Sequence, residues 1–315
     1  MSLPPNAIGT RAAHDASVGR MTSLSARIEA VQTQISTSKR IAGPSDDPIA
    51  FARAATLRRT QAADAATTRA IDTAARRLRS ADITLGSVGE LVLRARDLGL
   101  SGSSATMSPE NRAVLALEVR ELAASFAGLA EARDADGVPL FAGAAARGPA
   151  YAPDATGVVR WQGQGTAPPL IAGSALVETG VTGPQAFGLT SDPTPERAQG
   201  TSDLFATFTG LAAALDEPDP TLRAAALTRR LTEMEAHTTR LADAQASLGV
   251  RGARLEAEQT RLQSQSLATA SDLSRLEDTD MASAIAELQR LLTVLEAAQA
   301  SFARTASQSL WDQLR

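Results

Sequence analysis

Cysteine is absent from this chain, which excludes disulfides, thiolate metal sites and cysteine nucleophiles. Histidine is almost absent too. His14 and His237 are the only two, too few for the zinc and triad chemistries that need imidazole clusters. Aromatics are 3% of 315 residues while hydrophobic residues are 43%, so the apolar inventory is Ala, Leu, Val and Ile. That inventory suits close helix-helix contact better than an aromatic-lined ligand pocket. Neither sign of charge prevails: 31 Lys plus Arg face 35 Asp plus Glu, a formal net charge of -4, so no field is available to hold a phosphate backbone. Nucleic acid is not an expected partner. No apolar run approaches the roughly 18 residues of a membrane span, and Met1 to Thr10 lacks the cationic start and apolar stretch of a Sec signal peptide. Neither membrane insertion nor Sec export is expected.

What is present is helical periodicity, in a chain long enough for two or three domains of about 100 to 200 residues each. Residues 1–20 carry little pattern and are expected to be flexible. In a first core helix at 21–42, Met21, Leu24, Ile28, Val31 and Ile35 recur at intervals of 3 and 4, a narrow stripe in need of a partner. Gly43 and Pro44 then end that helix, and Asp46 or Asp47 can cap the next with Pro48 in its first turn. Over 43–134 a hairpin of long helices is expected. Leu57, Ile71, Leu78, Leu85, Val88, Val92, Ala95 and Leu98 mark its first arm, a turn follows at Ser101 to Ser108, and Leu115, Val119, Leu122, Phe126 and Leu129 mark its second.

From 135 to 200 Gly and Pro become frequent and short β-prone pieces appear, Val158 to Trp161 and Leu170-Ile171, which predicts a small β-rich insert. Helical patterning returns over 201–276. Leu227, Met234, Leu241, Leu248, Leu255, Leu262, Thr269 and Leu276 recur every seven residues, while the intervening positions Leu231, Thr238, Gln245, Gly252, Gln259, Ser266 and Leu273 are mostly small or polar. A strict heptad over this length selects coiled-coil packing, and small seam residues let a second helix approach closely. Residues 277–315 close the chain with Ile285, Leu288, Leu292, Leu295, Gln299 and Phe302, then Leu310, Trp311 and Leu314. The expected fold is mainly α with a small β-rich insert, an antiparallel long-helix coiled-coil bundle built by the N- and C-terminal parts of the chain. An isolated amphipathic helix is marginal in water, so the two end stripes must meet each other or a neighbouring molecule.

The run from Ile35 through Lys39-Arg40-Ile41-Ala42-Gly43 to Pro44, Ser45, Asp46, Asp47 and Pro48 resembles the N-terminal signature of the flagellin family. Asp136-Gly-Val-Pro-Leu-Phe-Ala-Gly143 and Asp154 to Gly163 look more like its hook-associated junction branch than its filament subunits. Leu276 to Asp280, Leu295 to Gln299 and Ser309-Leu310 are similar to the family's tail. The resemblance covers Met21 to Arg315 and implies an extracellular structural part of the bacterial flagellum, exported unfolded through the flagellar type III channel with an export chaperone. It implies a homo-oligomeric ring, placed between the companion hook-associated protein FlgK and flagellin, with the β-rich domain of 135–200 facing outward. The assembly interface would comprise Leu24, Ile28, Val31, Ile35, Ile285, Leu288, Leu292, Leu295, Phe302 and Trp311, with no catalytic residue and no cofactor. The alternatives are a filament subunit, a surface-adhesion module using the central β domain, and a cytoplasmic signalling coiled coil.

The remaining polar groupings read as structural. Adjacent Asp46 and Asp47 diverge and cannot flank a scissile bond. Glu277, Asp278 and Asp280 lack the convergent oxygens of a calcium loop and are expected to be a solvated helix start. Gly163-Gln-Gly165 lacks the helix a dinucleotide fingerprint needs. No His-Glu-x-x-His run occurs, so the metallopeptidase insert of some flagellins is missing. His14 and His237 are expected to be structural or solvent-facing, and Trp161 and Trp311 to pack in cores. Glu90 to Leu100 resembles the flagellin helix read by innate immune receptors, with Gly99 departing from it; an inter-subunit face is the preferred role.

Overall fold

The computed structural model describes residues 5–145, 147–155, 158–172, 175–188 and 203–312. Among them are seven helices and four short strands: α1 (Pro5–Thr37), α2 (Pro48–Gly102), α3 (Pro109–Ala130), β1 (Tyr151–Pro153), β2 (Val159–Trp161), β3 (Pro169–Ala172), β4 (Ala175–Glu178), α4 (Gly183–Phe187), α5 (Leu204–Asp216), α6 (Pro220–Glu277) and α7 (Met281–Asp312). They form two compact units. The first comprises residues 1–64 and 264–315, the second residues 65–263.

In the second unit the heptad of α6 is buried from end to end: Leu227, Met234, Leu241, Leu248, Leu255 and Leu262 are each at most 3% exposed. Ile71, Leu78, Leu85, Val88, Val92, Ala95 and Leu98 of α2 meet them in one core cluster. The polar seam positions have a function of their own. Gln245 Nε2 donates to Asp82 Oδ1 at 3.3 Å and Gln259 Nε2 to Asp72 Oδ1 at 3.2 Å, so the two helices run antiparallel in a register that polar pairs specify.

Ser108 caps α3, accepting from Asn111 N at 3.3 Å with Pro109 in the first turn. Leu115 and Leu215 then close on Gly102, while Leu211 and Leu231 close on Gly99, where an added Cβ would stand 2.9 Å from Leu211 Cδ1. The departure at Gly99 therefore has a packing cause. Helical patterning from Leu204 through Phe205, Phe208, Leu211 and Leu215 becomes α5, which packs along α3, and after the turn at Pro218 to Pro220 the chain continues as α6.

The insert pairs β1 with β2 (Tyr151 opposite Trp161) and β3 with β4 (Leu170 opposite Val177), both antiparallel. It does not stand apart from the bundle. Phe126 of α3 packs on Phe187 (5.2 Å between centroids), Phe205 (4.4 Å) and Phe208 (5.6 Å), and Phe187 continues to Phe141 (5.0 Å). Scarce as they are, most of the phenylalanines gather where insert and bundle share a core. Trp161 anchors the first hairpin, its Nε1 donating to the Phe141 carbonyl at 2.8 Å. Arginines from the long helices hold the rest: Arg77 of α2 pairs with Asp134 and donates to the Pro139 carbonyl at 2.7 Å, and Arg251 of α6 pairs with Glu178 at 2.6 Å. Gly143 (φ 65°) is required where the chain crosses the Gln164 carbonyl, 2.4 Å from where a Cβ would lie.

In the first unit α1 and α7 pack along each other. His14 lies against Phe302 at 4.9 Å, Arg27 reaches Glu287 at 3.4 Å, and Lys39 forms a β-bridge with Asp278, so the pair is antiparallel. Helix α1 begins at Pro5, well ahead of the patterned stripe, and takes in residues 5–20 that the patterning left as a flexible lead.

Candidate assembly surface

On the N-terminal stripe Ile28 is 7% exposed, and Met21, Leu24, Val31 and Ile35 are half-buried. The C-terminal stripe keeps Leu288, Leu295 and Phe302 but takes Ala284, Leu291 and Ala298 in place of Ile285, Leu292 and Gln299. Ala284 and Leu291 are buried, and Leu288, Leu295, Ala298 and Phe302 are half-buried, while Ile285 (45%) and Leu292 (40%) point away and stay exposed. Leu291-Leu292 offers two equally apolar choices, and counting Ala284 and Ala298 as apolar would have selected the inner one. The consequence is that the apolar stripe of α7 is wider than α1 covers. Met281, Ile285, Leu292 and Val294 remain open after α1 has taken its share. The side chain of Trp311 lies outside the described residues.

Between the helices and their neighbours in the chain lie two turns, and these are joined. Asp46 Oδ2 accepts from Ala42 N and Gly43 N, both at 2.9 Å, which closes the first turn, and Asp47 Oδ1 caps α2 through Ala50 N at 2.9 Å. The two backbone bonds hold the fully exposed Asp46 carboxyl below its usual range. In the second turn Asp280 caps α7, bonded to the Ser283 hydroxyl at 2.7 Å and to Ala282 N at 3.1 Å, and its carboxyl is likewise lowered, chiefly by Ser283. Pro44, Ser45 and Pro48 are exposed around this frame.

Glu277 was expected in a solvated helix start, and the structure overturns that. It is 7% exposed, with Arg58 at 2.7 Å and Lys39 at 3.3 Å on its carboxylate. Those partners are 219 and 238 residues away in sequence, so no local pattern could have disclosed them. Arg40 N also donates to the Glu277 carbonyl at 2.6 Å, and Thr279 N to the Ser38 carbonyl at 3.0 Å.

His237 is 2% exposed and occupied structurally, with Thr207 Oγ1 at 3.1 Å from Nε2 and Arg240 Nη1 at 3.0 Å from Nδ1. His14 is exposed beside Phe302. No group of three His, Asp or Glu side chains that could hold a metal, and no helix long and apolar enough to cross a membrane, occurs among the described residues.

Comparison with known proteins agrees with this layout. The bacterial flagellin N-terminal helical region matches residues 8–146, and the bacterial flagellin C-terminal helical region matches residues 231–314. The flagellar hook-associated protein 3 of Escherichia coli is 27% identical over 278 residues, 85% of this chain and 87% of that protein. Its Salmonella typhimurium counterpart is 24% identical over 96% of this chain and 98% of its own length. In fold, the chain is similar to hook-associated protein 3 of Legionella pneumophila (TM-score 0.62, 16% identity, 70% of this chain and 98% of that one) and to FlgL of Xanthomonas campestris (0.60, 18%, 69% and 99%). With both helical regions matched across most of its length, and the turn between α1 and α2 built on the paired aspartates of the signature, the chain belongs to the flagellin family.

Proposed function

We propose that this chain is the hook-associated junction subunit of a flagellum, a structural rather than catalytic protein that joins hook to filament. The observation that carries this reading is the wide apolar stripe of α7: after pairing with α1 it keeps Met281, Ile285 and Leu292, which share one edge of the helix, open to water. An exposed apolar face on a helix that already has one partner calls for a second, and identical subunits stacked in a ring supply it. Each of these side chains is already more than half covered, so its remaining burial contributes on the order of 1 kcal/mol before ordering costs, a gain that accumulates over the copies in a ring.

The similarity to hook-associated protein 3 over nearly the full length favours the junction over the filament subunit. The partners proposed are further copies of the chain, FlgK on the hook side and flagellin on the filament side, reached through type III export with a chaperone to an extracellular position. An adhesion role for the insert is less favoured, because Phe141 and Phe187 commit it to the core of the bundle. For the same reason, deleting the insert is a poor test of adhesion, since it would open that core. The decisive test is Ile285→Asp with Leu292→Asp in cells lacking the native copy. Loss of filaments with the purified variant still folded is the expected result, and normal filaments would refute the assignment.

A further inference from the structure

Glu277 stands where a carboxylate is costly. It lies in the last turn of α6, at the negative end of the helix dipole, and it is withdrawn from water. Two cations from different segments meet it there, Lys39 from the turn after α1 and Arg58 from α2. Around this centre every connection is doubled. Main-chain bonds run in both directions between the turns, from Arg40 N to the Glu277 carbonyl and from Thr279 N to the Ser38 carbonyl. The Arg40 side chain donates to the Leu276 carbonyl at 2.9 Å and pairs with Asp47, the cap of α2, at 3.6 Å. Ser38 is held at φ 56°, a left-handed conformation that a serine keeps only when its surroundings enforce it. A neutral side chain could fill the same space, but it could not draw in two cations at once.

From this geometry, and resting on the assembly reading above, we propose that Glu277 is a positioning residue for assembly. Its carboxylate, with Lys39 and Arg58, locks the α1–α2 turn to the α6–α7 turn, so that α1 and α7 are presented to a neighbouring subunit as one aligned pair. The outer face of α7 is then set before the neighbour arrives, and the subunit avoids an ordering cost at the moment of contact.

The test uses the full chain. In Glu277→Gln, which keeps the shape and removes the charge, amide exchange at Arg40 and Thr279 should accelerate about tenfold or more, on the scale of one charged hydrogen bond, with protection at Leu85 and Leu255 unchanged. Filament formation in cells lacking the native copy should fall in parallel. Reversing all three charges (Lys39→Glu, Arg58→Glu, Glu277→Arg) should restore both, because the pairing returns and the arginine now suits the helix end. Unchanged protection at Arg40 and Thr279 in Glu277→Gln overturns the proposal, as does a loosened turn with undiminished filaments. Normal filaments from Leu292→Asp would instead sink the assembly reading, whatever happens at Glu277.

Discussion

The two compact units of this chain are stabilised in different ways. In the second, the α6 heptad, the α2 stripe and the phenylalanines around Phe126 close a dry core. In the first, two helices of 33 and 32 residues bury between them only Ile28, Ala284 and Leu291 among the described residues, and the turns add polar bonds around the buried Ile41. A helix pair with a single seam leaves the margin of a wide apolar stripe uncovered, whereas a four-helix core with an insert against it does not. One unit closes its core within a single chain, whereas the other leaves Met281, Ile285 and Leu292 exposed, as the proposed assembly requires.

Substitution in the aromatic core should break the second unit alone, and by the largest amount. Phe126→Ala or Phe187→Ala is expected to cost about 3 to 5 kcal/mol in denaturant unfolding, since each ring is fully buried. Overpacking comes next: at Gly183 an added Cβ would sit 1.7 Å from the Tyr151 hydroxyl, so Gly183→Ala should destabilise by about 1 to 3 kcal/mol in the same assay.

The adjacent leucines of α7 sharpen the contrast within the first unit. Leu291→Ala should cost about 2 kcal/mol, read as faster amide exchange along α1 and α7, whereas Leu292→Ala should change monomer stability by no more than about 0.5 kcal/mol and weaken assembly instead. Equal effects on the monomer would contradict the inner and outer assignment.

Acid supplies the smallest and most discriminating difference. Asp46 and Asp280 are lowered in the folded chain, by backbone bonds and by Ser283 respectively, so their contribution to the first unit is present above the unfolded value of 3.8 and fades as pH falls below it. Asp203, which caps α5 through Ala206 N, is raised, mainly by burial. Its contribution has the opposite sign: fullest below 3.8 and diminished as pH rises through the raised value. Residue-resolved exchange at pH 3 and pH 6 should therefore show the two turns loosening in acid while the start of α5 does not. A uniform loss would remove the distinction.

Spacing alone determined that the chain is mainly helical, where α2, α3 and α6 carry their buried faces, and that one end stripe runs through Ile28. Those features follow from the 3.6-residue turn and the heptad, which act over a few residues. Which of Leu291 and Leu292 faces α1, why aromatics so rare collect at Phe126, and how Glu277 comes to sit between Lys39 and Arg58 were decided only by tertiary structure. Each depends on groups brought together from distant parts of the chain, and a buried charge or a shared core has no period along the sequence to announce it.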